Sequence, residues 1–138
     1  ESLIKALKDR KEKSLIVLGK PELKYKKKIG NLTIKSHLKT NDLSTAILES
    51  ELIICRPGYS TIMDLVKLGK NAIFIPTPGQ TEQEYLANHF LKDNIFYSQK
   101  QHEFDFKLAK EKSKEYTGFN KTIKNKTNWE TLFSIFKN

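Results

Sequence analysis

The sequence predicts an α/β fold: a parallel sheet with helices on both faces. Three observations predict it. Short, continuous apolar runs recur at 14–18 (SLIVL), 52–55 (LIIC) and 72–75 (AIFI). Helical patterns of apolar spacing lie between and after them. Gly and Pro stand where the chain leaves the strands, at Gly58 and at Pro76, Pro78 and Gly79. A short strand that is apolar throughout is buried on both sides, which is the property of a parallel sheet between helix layers.

The elements follow in order. Leu3, Ile4 and Leu7 form one face of a short N-terminal helix. Residues 14–18 read as a buried strand, being short and β-branched. Pro21 sits where a helix starts and Gly30 where it stops, so 21–30 reads as a helix. Its Lys24-Tyr25-Lys26-Lys27-Lys28 cluster then reads as a solvated helix face, with a membrane-surface patch as the alternative. Residues 32–35 are a weak strand. Asn41 or Asp42 caps a helix with Leu43, Ala46 and Ile47 inward. Residues 52–55 are a second buried strand. A helix over 60–68 follows, with Ile62, Leu65 and Val66 inward and Gly69 at its end. Residues 72–75 are a third buried strand, stopped by Pro76, and a helix spans 81–92. Residues 95–97 form an edge strand and 104–116 a charged helix. Segment 117–128 is a polar connection. Trp129, Leu132, Phe133 and Phe136 mark an amphipathic tail helix.

The bulk numbers bound the class. The chain has 138 residues, 38% hydrophobic and 30% charged, which suits one soluble domain with a core. No apolar run approaches the roughly 18–20 residues of a membrane span, and residues 1–5 lack the basic-then-apolar pattern of a leader. One cysteine, Cys55, excludes a disulfide framework and points to a reducing, cytoplasmic compartment. The net charge is +9; an anionic partner such as nucleic acid, anionic lipid or a phosphorylated ligand is one reading, but the lysines are scattered, and charge spread over solvated faces is the reading preferred. Arginine is confined to Arg10 and Arg56, which argues against a nucleic-acid binder. His37, His89 and His102 show no metal spacing, and no Walker loop, GxGxxG or GxSxG is present.

The chemistry lies at the strand ends, because open α/β sheets bind ligands outside the carboxyl ends of their strands. Gly58 lets the backbone turn and a ligand approach closely. The next helix aims free N–H groups outward, a ready anion site, and Ser60 and Thr61 add hydroxyls. Asp64, one turn in, is suited to accept hydrogen bonds from sugar hydroxyls. The competing reading is that Thr61-Ile62-Met63-Asp64 and Thr81-Glu82-Gln83-Glu84 are capping boxes that satisfy their own helix starts. Spacing alone leaves both readings open.

The stretch from about Leu52 to Phe90 resembles the C-terminal domain of glycosyltransferase family 28. The resemblance rests on Arg56-Pro57-Gly58-Tyr59-Ser60-Thr61-Ile62-Met63-Asp64 and on Pro76-Thr77-Pro78-Gly79-Gln80-Thr81-Glu82-Gln83-Glu84-Tyr85-Leu86-Ala87-Asn88. It implies the Rossmann-like C-terminal half of a two-domain GT-B glycosyltransferase of bacterial carbohydrate metabolism. That half binds a nucleotide-sugar donor, usually a UDP-sugar, for inverting transfer. By the resemblance, the backbone at Ser60 and Thr61, beside Gly58, meets the α-phosphate. Asp64 meets the ribose where the family usually has Glu, and Gln83 and Glu84 face the donor sugar where some members have Gln-Gln. Leu38 and Lys39 lie near the uracil. No cofactor and no metal are implied, since no Asp-x-Asp pair occurs, and no residue is assigned as catalytic base.

Residues 1–13 show a helix where the family has a strand and a Gly-Gly loop. The expectation is therefore one donor-binding domain over 1–138, a fragment without its first strand or the N-terminal acceptor domain, and inactive alone. The expected partners are the donor, that acceptor domain and a membrane-surface or lipid-linked acceptor, with the protein peripheral to the inner membrane face. The alternatives are a non-catalytic, donor-like module that docks on a partner glycosyltransferase subunit through the Trp129–Phe136 face, and a nucleotide-sugar epimerase of the same architecture.

Overall fold

The computed structural model describes residues 2–17 and 22–118. They divide into two compact units, 1–46 and 47–138, with the boundary inside a helix. The expected tail helix and most of the 117–128 connection lie outside the described residues.

The first unit opens with α1 (Ser2–Leu7) and holds a three-stranded sheet of order β1-β3-β2. Its strands are β1 (Ser14–Val17), β2 (Lys26–Ile29) and β3 (Leu32–Lys35). β1 runs parallel to β3, while β2 and β3 form an antiparallel hairpin. The helix expected over 21–30 is therefore replaced, over its described part, by an edge strand. Gly30 does not stop a helix. It takes φ +58° in a two-residue Gly30-Asn31 turn, where only glycine adopts that backbone without strain. Leu32 and Ile34 alternate inward and are buried. β1 is less buried than its composition predicts, since Leu15 is 41% exposed.

α2 (Thr40–Glu49) spans the unit boundary. It starts one residue before the expected caps, so Asn41 and Asp42 lie inside its first turn. Leu43, Ala46 and Ile47 are half-buried, as their spacing predicts.

The second unit alternates strand and helix: β4 (Ile54–Cys55), α3 (Tyr59–Leu68), β5 (Ile73–Phe74), α4 (Thr81–Lys92), β6 (Tyr97–Ser98), a 3-10 turn (Gln101–Glu103) and α5 (Phe106–Ser113). Its sheet is wholly parallel, in order β4-β5-β6. Successive strand side chains point to opposite faces, and Ile73 and Phe74 are both fully buried, so central β5 is covered on both faces. The core joins Ile62 and Leu65 of α3 to Leu86, Ala87 and Phe90 of α4, with Phe74, Ile95 and Phe96 between. Phe74, Phe90 and Phe96 pack as a triad, with ring centroids 4.7 to 6.3 Å apart. The last strand lies slightly later than the expected 95–97, because Ile95 and Phe96 are consumed by the core.

The unit is closed at the C-terminal end of α5. The Asn71 amide donates to the carbonyls of Ser113 and Tyr116 and accepts from the Ala72 N–H. Gly118, at φ +65°, lies against Asn71 so closely that a Cβ would sit 3.0 Å from the Asn71 Cβ.

Candidate functional site

The parallel order β4-β5-β6 puts three successive carboxyl ends on one edge of the sheet. The segment Arg56–Thr61 leaves β4 there, the turn 76–80 leaves β5, and the segment 99–103 leaves β6. Arg56 ties the three together. Its guanidinium donates to the Ile75 carbonyl at 2.8 Å and to the Gln101 side-chain oxygen. This role was not visible in the sequence, because both partners are distant along the chain.

α3 begins with Gly58 as its N-cap and makes no side-chain cap. The capping box expected at Thr61–Asp64 is therefore not formed: the helix starts before Thr61. The first α3 bond runs from the Ile62 N–H to the Gly58 carbonyl at 3.0 Å. The N–H groups of Ser60 and Thr61 thus precede the helical ladder and belong to the positive end of the helix. Gly58 has φ −124° and ψ 163°, an extended backbone open to any residue, so it is not needed for a sharp turn. What it supplies is space, since no heavy atom lies within 4 Å of where a Cβ would stand. Ser60 and Asp64 are exposed and Thr61 is half-buried.

α4 also starts without a side-chain cap, with Gln80 as N-cap, so the second expected capping box is not formed at Thr81. Its acidic member has another job. The Glu84 carboxylate accepts from the Gly79 N–H at 2.8 Å, and the Gln83 carbonyl oxygen accepts from the Thr77 N–H at 2.7 Å. Both side chains reach back over the helix start and hold the turn before it. Gly79 is at φ +83°, which the turn requires. With its oxygen fixed, Gln83 has its NH₂ as the remaining donor, while Glu84 has its second oxygen as an acceptor.

Leu38 and Lys39 belong to the first unit, where they link β3 to α2. Leu38 is half-buried and Lys39 exposed, and the Lys39 carbonyl accepts from the Leu43 N–H at 2.9 Å. The structure thus gathers Gly58, Ser60, Thr61, Asp64, Gln83 and Glu84 along one sheet edge, with Leu38 and Lys39 in the other unit.

Cys55 packs beside the core, and desolvation pushes its thiol up to about 12, which leaves it unreactive near neutrality. Burial raises the Tyr116 hydroxyl, helped by Tyr97 and Glu115. His37 and His102 are exposed. His89 stacks on Tyr85 and approaches Asp93 at 3.8 Å. Among the described residues, no group of three or more His, Cys, Asp or Glu side chains is placed to hold a metal ion, and no helix is long and apolar enough to cross a membrane.

A parallel sheet with helices on both faces, and a helix start open at its carboxyl edge, defines a Rossmann-like α/β domain of the kind that binds anionic ligands. The model of the glycosyltransferase family 28 C-terminal domain matches residues 3–133, and the chain belongs to that family. Among curated proteins it is similar to UDP-N-acetylglucosamine--N-acetylmuramyl-(pentapeptide) pyrophosphoryl-undecaprenol N-acetylglucosamine transferases. With the protein of Paracidovorax citrulli (strain AAC00-1) it shares 39% identity over 54 residues, 38% of this chain and 15% of the relative. With that of Histophilus somni (strain 129Pt) it shares 35% over 66 residues, 47% and 18% respectively. These matches span under a fifth of either relative's length. No solved structure matches the chain significantly.

Proposed function

We propose that the chain is the donor-binding part of a glycosyltransferase that uses a nucleotide-sugar, with a UDP-sugar as donor and inversion at the anomeric carbon. The observation that carries the reading is the α3 start: free N–H groups at Ser60 and Thr61 beside the open space at Gly58. The name of the relatives, in which UDP-N-acetylglucosamine is the donor, supports the choice of nucleotide.

In this reading the donor diphosphate lies over the helix start. Asp64, on the next turn, accepts from the ribose hydroxyls. The Gln83 NH₂ and the outer oxygen of Glu84 meet hydroxyls of the sugar. An acceptor hydroxyl attacks the anomeric carbon as the bond to the diphosphate breaks. The diphosphate leaves with the electron pair, and α3 stabilises its growing charge. The proton passes to a base in the acceptor domain of the whole enzyme, whose acceptor is lipid-linked. The 138-residue chain alone binds donor without transferring sugar.

The test is a UDP titration followed by amide shifts. Shifts concentrated between Gly58 and Asp64 support the reading, and no shift there at about 5 mM UDP, a level chosen for a roughly millimolar site, overturns it.

A further inference from the structure

The backbone ladder between β4 and β5 stops one bond short at the sheet edge that carries the site. The Ile73 N–H donates to the Ile53 carbonyl at 2.8 Å and the Ile75 N–H to the Cys55 carbonyl at 3.0 Å. In a parallel ladder the next bond would reach the Ile75 carbonyl from the N–H of residue 57. That residue is Pro57, which has no N–H. Ile75 and Pro57 are both buried, so the missing donor has to come from the protein. The Arg56 guanidinium supplies it, donating to the Ile75 carbonyl at 2.8 Å.

The second prong of the guanidinium reaches the Gln101 side-chain oxygen, and Gln101 stands on a braced loop. The Gln99 N–H donates to the Phe74 carbonyl at 3.0 Å, which extends the pairing of β5 with β6. The Gln99 side-chain oxygen accepts from the Asp105 N–H at 2.9 Å and closes the loop between them. Inside it the Glu103 N–H donates to the Lys100 carbonyl at 3.1 Å. One planar group just before α3 therefore joins the last residue ahead of the 76–80 turn to the loop after β6. That turn is itself held by Gln83 and Glu84. A lysine could not do the same, because its ammonium is a single point and not a fork.

We infer that Arg56 is a positioning residue for the donor site, an inference that rests on the nucleotide-sugar reading above. Arg56 touches no donor atom in this role. In that reading the diphosphate lies on the start of α3, and the sugar meets Gln83 and Glu84 on α4. The ligand thus bridges two elements that follow different strands. Arg56 fixes the spacing between them, and Gln101 fixes the orientation of Arg56. Without the bridge, UDP is still held by α3 alone. A ligand that must meet both helix starts at once loses the preorganisation that favours it.

The test has a ligand-free and a ligand-bound arm, both on the full 138-residue chain. Gln101→Ala is a change at an exposed position that leaves the bond from Arg56 to Ile75 in place. Without ligand it should shift the amides at 58–61 and 75–79. Shifts confined to 99–105 overturn the inference whether or not the donor reading holds. In titrations Arg56→Met should weaken UDP-N-acetylglucosamine about fivefold, the scale of one net hydrogen bond, and UDP less than about twofold. Arg56→Lys and Gln101→Ala should each fall between wild type and Arg56→Met. Arg56→Met/Gln101→Ala should match Arg56→Met, since Gln101 acts through Arg56. Equal losses for UDP and UDP-N-acetylglucosamine, as a general loosening of the fold would give, overturn the inference, and so does an additive double variant. A wild-type chain that binds neither ligand overturns the donor reading itself, and the positioning role with it.

Discussion

Gly58→Ala separates a ligand-binding helix start from a merely structural one. The backbone at φ −124°, ψ 163° accepts alanine without strain, and the new methyl meets no heavy atom within 4 Å. Two effects on stability oppose each other. Alanine lowers the freedom of the unfolded chain, which stabilises by about 0.4–1 kcal/mol. It is also a poorer N-cap than glycine, which costs about as much. The net change in stability should be within about 1 kcal/mol. Binding behaves differently if a diphosphate packs against the bare backbone. The methyl then occupies ligand space, and overpacking of that kind costs about 1–3 kcal/mol, or roughly 5- to 150-fold in affinity. Thermal melts and UDP titrations on both proteins give the two numbers. A matching melt with UDP affinity unchanged within about twofold, well under the smallest loss expected, would refute the argument that Gly58 is there to leave room.

Asp64→Ala should now leave stability within about 0.5 kcal/mol, because Asp64 caps nothing and alanine is the better helix former; UDP titration should show a loss of about 1.5–3 kcal/mol in binding if it holds the ribose. Glu84→Ala frees the Gly79 N–H and should raise hydrogen exchange across 77–80, whereas Glu84→Gln keeps an acceptor and should leave exchange near wild type. Phe74→Ala removes the centre of the aromatic triad and should cost about 3–5 kcal/mol in denaturant melts. Burial raises the Cys55 thiol from 9.0 to about 12, so the folded protein holds this proton more tightly than the unfolded chain. Its stabilising contribution is full below about pH 9 and is lost as pH rises toward 12. The melting temperature should therefore fall less steeply over that window in Cys55→Ala than in wild type.

Much of the second unit was legible because its signals are local. The helix over 81–92 has the boundaries its periodicity predicts, and the short apolar runs at 52–55 and 72–75 contain β4 and β5. The error at 21–30 came from weighing Pro21 and Gly30 as helix punctuation. The competing signal was present: Gly30-Asn31 between Ile29 and Leu32 is a two-residue hairpin turn. Three lysines in a row hide the alternation of a strand, and an edge strand tolerates them. α3 starts one residue before the expected 60, and the capping-box spacing of Thr61 and Asp64 misleads because Gly58 supplies an N-cap with no side chain to announce it. That the candidate residues Ser60, Thr61 and Asp64 stand in the first turns of the helix after β4 could be read from position alone. What Arg56, Gln83 and Glu84 hold could not, since their partners are backbone groups that only the folded turns bring within reach.

The side chains of Gln83 and Glu84 grip the turn before α4 through its own Thr77 and Gly79 N–H groups. That turn therefore has its shape before any ligand arrives, and the entropy of ordering it is spent during folding rather than on association. A ligand landing there meets a rigid template and not a loop that must be recruited. Weakening either grip should consequently show itself first as a slower or less productive encounter, in the association rate, while contacts made after docking set how long the complex lasts.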